Sequence, residues 1–123
     1  MEFVEKDLSY DITGAIFEVA HALGPGLLEK CYQEALEIEL KSRNLKVERE
    51  RRYNLTYKGV ALDQEYIADF VVENKVIVEL KSVRELNEIH KAQIINYLKI
   101  SGLHLGILVN FNKPRIEIER ILN

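Results

Sequence analysis

Between Ile12 and Leu40 the apolar positions fall at helical spacing. Ile12, Ile16, Val19 and Leu23 recur three or four residues apart, which gathers them on one stripe of an amphipathic helix. "GPG" at 24–26 interrupts the stripe, and "LLEKCYQEALEIELKSR" resumes it with Leu28, Tyr32, Ala35, Leu36 and Leu40 on one side. Glycine and proline break helices, so the pattern predicts two helices in series or one with a sharp kink. After Asn44 the period becomes two: Val47, Arg49, Arg51, Tyr53, Leu55 and Tyr57 alternate against Glu48, Glu50, Arg52, Asn54 and Thr56. This predicts a strand, solvated at its start. "KG" at 58–59 and "ENK" at 73–75 read as turns, so "VALDQEYIADFVV" and "VIVELKS" complete a three-strand meander.

"RELNEIHKAQIINYLKIS" then returns to helical spacing through Leu86, Ile89, Ile94, Tyr97 and Leu98, closed by Gly102. "HLGILVNF" is a mostly apolar strand and "RIEIERIL" alternates like an edge strand. The predicted order is ααβββαββ. A helix between two strands of one sheet makes a right-handed crossover, so the strand after the last helix should lie parallel to the third. The expected class is α/β: a sandwich in which helices flank a short mixed β-sheet.

With 123 residues, of which 47% are hydrophobic, the chain suits a single domain over 1–123 with one core. The formal net charge of −3 lacks the strong basic balance of many nucleic-acid binders, so a polyanion would have to meet a local basic patch. Lys46, Arg49, Arg51 and Arg52 form the densest cationic run, and Lys113, Arg115 and Arg120 a second. The glutamates interleaved with the first leave both a solvated face and a phosphate contact open. Cys31 is the only cysteine, so an intramolecular disulfide is excluded, and it reads as a small buried side chain of its helix. "MEFVEKDLSY" has no apolar signal core and no run approaches a membrane span. A cytoplasmic protein with no membrane partner is expected.

"ADFVVENKVIVELKS" at 68–82 puts Asp69, Glu79 and Lys81 inside the most strand-like stretch of the chain. A carboxylate taken out of water without a partner costs several kcal/mol or takes up a proton. Glu79 and Lys81 share a strand face with Ile77. Counted from a turn at 74–75, Asp69 sits further along its strand than a residue directly opposite Glu79, so a bulge or strand divergence is needed to bring the carboxylates together. Two carboxylates at short range repel unless a cation lies between them, and hard divalent ions suit oxygen ligands. Metal-assisted phosphodiester hydrolysis needs such a pair, with a lysine beside it to hold the attacking water. An ordinary ion pair between Glu79 and Lys81 on a half-exposed strand is the competing reading.

Asp69 followed by Glu79-Leu80-Lys81 in this order of elements resembles the PD-(D/E)XK nuclease superfamily, with a restriction-endonuclease-like fold. "QIINY" resembles the Q-x-x-x-Y element of its RecB-type branch, and "GLLEKCY" fits G-x-x-E-x-x-Y through Gly26, Glu29 and Tyr32. Nearly the whole chain is similar to the small GxxExxY proteins. The resemblance implies Asp69, Glu79 and the backbone carbonyl of Leu80 as ligands of Mg²⁺ or Mn²⁺, with Glu29 completing or orienting the metal shell. It implies Lys81 as the water-positioning cation, and Gln93 and Tyr97 lining the same cleft. Ala68 stands where the family name has proline, and Val19-Ala20-His21 departs from the expected Val-His pair.

The residues outside this set read as structural: Tyr32 as packing, His90 as a surface or satisfied polar group, and His104 as a strand-end residue. The function expected is a nuclease cutting DNA rather than RNA. A catalytically inactive nucleic-acid-binding or protein-interaction module on the same fold is the alternative. A homodimer would enlarge the small binding surface, through "RIEIERIL" or the helix face around Leu36.

Overall fold

The computed structural model describes residues 5–123. Its elements run α1 (Lys6–Leu23), α2 (Glu29–Ser42), β1 (Val47–Tyr57), β2 (Val60–Val72), β3 (Val76–Lys81), α3 (Glu88–Ser101), β4 (Leu105–Asn110) and β5 (Glu117–Leu122). They build one five-stranded sheet in the order β1-β2-β3-β4-β5. Only β3 and β4 are parallel; the other neighbours are antiparallel. The mixed α/β sandwich and its element order agree with the pattern of apolar positions. No helix among the described residues is long and apolar enough to cross a membrane. Residues 1–4 of the stretch read for a signal lie outside the described residues.

Helices cover both faces of the sheet, which is why every residue of β4 is buried. On one face Ile12, Ile16 and Val19 of α1 and Tyr32, Leu36 and Leu40 of α2 pack on Phe70, Val78, Leu80 and Ile107. On the other, Ile94, Tyr97 and Leu98 of α3 pack on Ala68, Val71, Ile77 and Leu108. The approach of α3 is close at Gly106, where a Cβ would lie 2.7 Å from Ile94 Cδ1. Any larger residue there would force the Ile94 side chain to move.

The break at 24–28 separates α1 from α2, with Gly24 and Gly26 at φ of 70° and 97°. Tyr32 fixes it: its hydroxyl donates to the Gly24 carbonyl at 2.6 Å and accepts from the Leu27 amide at 3.1 Å. The same ring stacks on Phe111 at 4.5 Å. Asn87 sets the start of α3 later than periodicity suggested. Its side chain accepts from the amides of Ile89 and His90, and His90 Nδ1 accepts from the Asn87 amide in return. This reciprocal cap stops the helix from extending to Arg84 and gives His90 its structural role.

Three expectations are corrected. Leu36 is wholly buried in the core, so the helix face around it offers no dimer contact. Cys31 is exposed, because the packed face of α2 runs through Tyr32, Gln33, Leu36 and Leu40 instead. β1 is half-buried at its start and exposed at its end, since Val47 and Glu48 pair with Val72 and Val71 inside the sheet while the far end runs out of it.

Candidate active site

The site forms where β2 and β3 part. Their ladder pairs Val72 with Val76, Val71 with Ile77 and Phe70 with Val78. The next position would set Asp69 opposite Glu79, so Asp69 lies no further from the turn than Glu79 requires. The connection is 73–75, with the Lys75 amide donating to the Val72 carbonyl. Divergence does occur, and it begins at this pair. Glu79 Oε1 accepts from the Asp69 amide at 2.9 Å, and Asp69 Oδ2 accepts from the Leu80 amide at 2.8 Å. Two side chains thus take the place of backbone ladder bonds.

Burial and mutual repulsion shape their ionisation. Glu79 is only 3% exposed, and burial, followed by the neighbouring Asp69 charge, pushes its carboxyl well above the usual carboxylate range. Burial likewise raises Asp69, opposed by the bond from the Leu80 amide, with Glu29 adding a smaller upward push. A buried carboxylate pair of this kind is costly without positive charge beside it.

Lys81, at the end of β3, donates from Nζ to Gln93 Oε1 at 2.9 Å, and Gln93 Nε2 donates to the Tyr97 hydroxyl at 3.2 Å. Gln93 and Tyr97 share a face of α3 because they are four residues apart. Tyr97 meets Tyr66 of β2 edge-on, with centroids 5.8 Å apart. Burial and then the charges of Glu79 and Asp69 raise the Tyr97 phenol to about 12, so it stays protonated and able to donate at neutral pH.

Glu29, first residue of α2, lies across a small cavity of about 70 Å³ from Asp69 and Leu80, with Lys30 and Gln33 completing the lining. The fold therefore gathers Asp69, Glu79, Leu80, Lys81, Gln93, Tyr97 and Glu29 into one region. Gln33 is the residue that motif reading missed. It is buried, and its position four residues after Glu29 on the same helix face was the available signal. Among the described residues no group of three or more His, Cys, Asp or Glu side chains is assembled for a metal. The local donors are all oxygens: two carboxylates, a third carboxylate across the cavity, and the backbone.

The family model of the PD-(D/E)XK nuclease superfamily matches residues 6–121. The chain belongs to this superfamily. A solved structure, the crystal structure of SSO0001, aligns with TM-score 0.61 and 26% identity over 76% of this chain and 49% of that one. The chain thus spans about half the length of that protein. No curated protein matches the sequence.

The restriction-endonuclease-like architecture is the one described above, a five-stranded mixed sheet between helices.

Proposed function

We propose that this chain is one nuclease domain that hydrolyses phosphodiester bonds of nucleic acid, DNA in preference to RNA, with the help of Mg²⁺ or Mn²⁺. The observation that carries the reading is the buried carboxylate pair at the splay of β2 and β3, with Lys81 on the same strand. Within the superfamily, Gly26, Glu29 and Tyr32 support a place among the GxxExxY proteins, and Tyr32 acts there through packing.

Asp69, Glu79 and the Leu80 carbonyl would hold the ion, with Glu29 across the cavity in reach of its water shell. Their oxygen-only chemistry and the repulsion between the two carboxylates fit a hard divalent cation. When bound, such an ion polarises the phosphate and lowers the pKa of a water. The chain's own contributions are distinct. Lys81 places a positive charge beside the reacting phosphate, and Gln93 holds that ammonium by its carbonyl oxygen. The Lys81 ammonium, which only donates, keeps the Gln93 oxygen towards it, and the Tyr97 hydroxyl anchors the other end of the amide by accepting from its nitrogen. Gln33 and Lys30 close the cavity on the α2 side.

The test is cleavage of labelled single-stranded, duplex and branched DNA, and of RNA, with Mg²⁺ or Mn²⁺ by wild type, Asp69→Ala and Lys81→Ala. Metal-dependent cutting lost in both variants is the expected result. Equal products from wild type and both variants, or no cutting on any substrate, would overturn the reading. Retained binding without cutting would instead make the chain a non-catalytic module. Cytoplasmic location and pairing of two copies through the edge strand β5 belong to the same proposal.

A further inference from the structure

The carboxyl ends of the parallel strands β3 and β4 carry more than the carboxylate pair needs. Lys81 and Asn110 are the last residues of the two strands and lie side by side in register. Asn110 is fully buried, and its side chain is used at both ends. Oδ1 accepts from the amides of Val83 and Asn112, and Nδ2 donates to the Val83 carbonyl and to Glu117 Oε1. With every donor and acceptor satisfied, this one side chain fixes the start of the loop after β3 and both ends of the connection 111–116 between β4 and β5. The connection "FNKPRI" holds Lys113 and Arg115 and no acidic residue, and Pro114 between them stiffens it. The carboxylate site uses neither cation.

A cavity of about 240 Å³ opens between this connection and the end of α1. Phe17 and His21 of α1 line one side, and Phe111, Lys113, Pro114 and Arg115 the other. Among the described residues no acidic side chain lines it. Arg115 is exposed and has no ion-pair partner among the described residues. Lys113 lies 3.5 Å from Glu117, whose Oε1 already accepts from Asn110 and from the Leu86 amide, so an anion can draw the ammonium away without stranding the glutamate. Phe17 is 55% exposed, whereas Phe111 is a buried wall. An uncovered ring beside cations suits a base and its phosphate, because every base can stack through its π-face while the cations meet the backbone. The volume, below the range for drug-sized ligands, suits one nucleotide unit.

The cavity adjoins the strand ends where the carboxylates sit. The Phe111 amide donates to the Lys81 carbonyl at 2.9 Å, and the Phe111 ring stacks on Tyr32, which follows Glu29 by one turn of α2. The 24–28 connection joins His21 of the cavity to Glu29 of the site, held by Tyr32 and by the Ser82 hydroxyl, which donates to the Leu27 carbonyl at 2.7 Å. A base enters such a cavity only after leaving its stack and its pairing partner, so an unpaired strand fits and an intact duplex does not.

We propose that the cavity between α1 and the β4–β5 connection holds one unpaired nucleotide of the substrate strand, flanking the scissile phosphate, with its base on Phe17 and its phosphate between Lys113 and Arg115. The substrate class rests on the nuclease reading, but binding and not cutting tests the cavity.

The probes are a labelled thymidine oligonucleotide and an abasic strand of equal length, which keeps the phosphates and lacks the bases. Fluorescence anisotropy in EDTA over a series of KCl concentrations gives affinities and salt slopes for wild type, Phe17→Ala and Arg115→Ala. Both side chains are exposed, and circular dichroism with thermal melts verifies the fold. Phe17→Ala should weaken the thymidine strand about tenfold and leave the abasic strand unchanged. Arg115→Ala should weaken both strands and reduce the salt slope by about 0.7.

Thymidine-strand binding unchanged in Phe17→Ala, equal loss on both strands, or an unchanged salt slope in Arg115→Ala would overturn the proposal. So would a wild type that binds neither strand, or one that binds a duplex with the same dependence on Phe17. Polyglutamate displacing the strand as well as unlabelled strand does would make this a site for acidic protein instead. Thymidine monophosphate displacing it equally well would assign the cavity to a free nucleotide and likewise overturn the strand. Phe17-dependent strand binding by a protein that cuts nothing would sustain the cavity and overturn the nuclease reading. Cutting without Phe17-dependent binding would do the reverse.

Discussion

The strand pair β2–β3 contains two regions built on opposite rules. From Phe70 to Val72 it is a regular ladder with Val76 to Val78, wholly apolar and enclosed by helices on both faces. One pair further on, at Asp69 and Glu79, the ladder gives way to side-chain bonds between carboxylates and backbone amides. The first region gains stability from burial. The second gives some of it up, because carboxylates are held where water is scarce. The difference marks this pair as the candidate site of the proposal above, in which a bound ion would compensate the two carboxylates.

The widest separation between the two regions should come from Phe70→Ala. Phe70 is fully buried in the α1/α2 core, so deleting its ring should cost about 3–5 kcal/mol of stability, measured by urea unfolding. A small change would mean that the ladder region does not carry the fold. In the second region the expected effects divide differently. Glu79→Gln should lower metal-dependent cleavage by about 100-fold or more, while raising the melting temperature of the metal-free protein at neutral pH. The amide keeps an oxygen for the Asp69 N–H and offers N–H donors towards the Asp69 carboxylate. Loss of stability in this variant would show that the glutamate is structural.

The same contrast predicts a pH dependence. Because the folded-state pKa values of Glu79 and Asp69 are raised, the unfolded chain releases these protons first as pH rises. The contribution of these two groups to the stability of the metal-free protein is therefore fully present below the ordinary carboxylate range and is lost as pH rises through the raised values. Glu79→Gln should flatten that decline, whereas a substitution in the ladder region such as Val72→Ala should lower stability by a similar amount at every pH. Thermal melts across acidic to neutral pH distinguish the two. Parallel curves for wild type and Glu79→Gln would mean that burial of this carboxyl does not couple to folding.

The ladder region and the element order could be read from the sequence because each is written in a period: two for the strands, three to four for the helices. The residues of the site were also legible, but not their register. "ENK" marked the turn at 73–75, but counting from 74–75 displaced the register by one residue. Glu73 and Asn74 both take positive φ, at 54° and 56°, a conformation in which glycine would have announced the turn. With the connection at 73–75, Asp69 falls opposite Glu79. Gln33 was hidden for another reason: a polar residue on the buried face of α2 contradicts the amphipathic pattern and is explained only once Asp69 and Leu80 are known to lie across the cavity. Cys31 misled because residue type suggested burial, while helix geometry put its neighbour Tyr32 on the packed face.

The finest distinction between the regions concerns Tyr97, which belongs to both. Its ring packs in the α3 core with Ile77 and Leu108, while its hydroxyl accepts from Gln93, the residue that holds Lys81. Tyr97→Phe keeps the ring and removes the hydroxyl, so stability should change by only about 0.5–1.5 kcal/mol. The Gln93 nitrogen then loses its acceptor, so the side chain that holds the Lys81 ammonium is anchored at one end only. Cleavage should slow by up to about tenfold in kcat with KM little changed. Single-turnover kinetics would detect this. An unchanged rate would show that Gln93 holds Lys81 as firmly without the Tyr97 hydroxyl, and that the tyrosine serves the core alone.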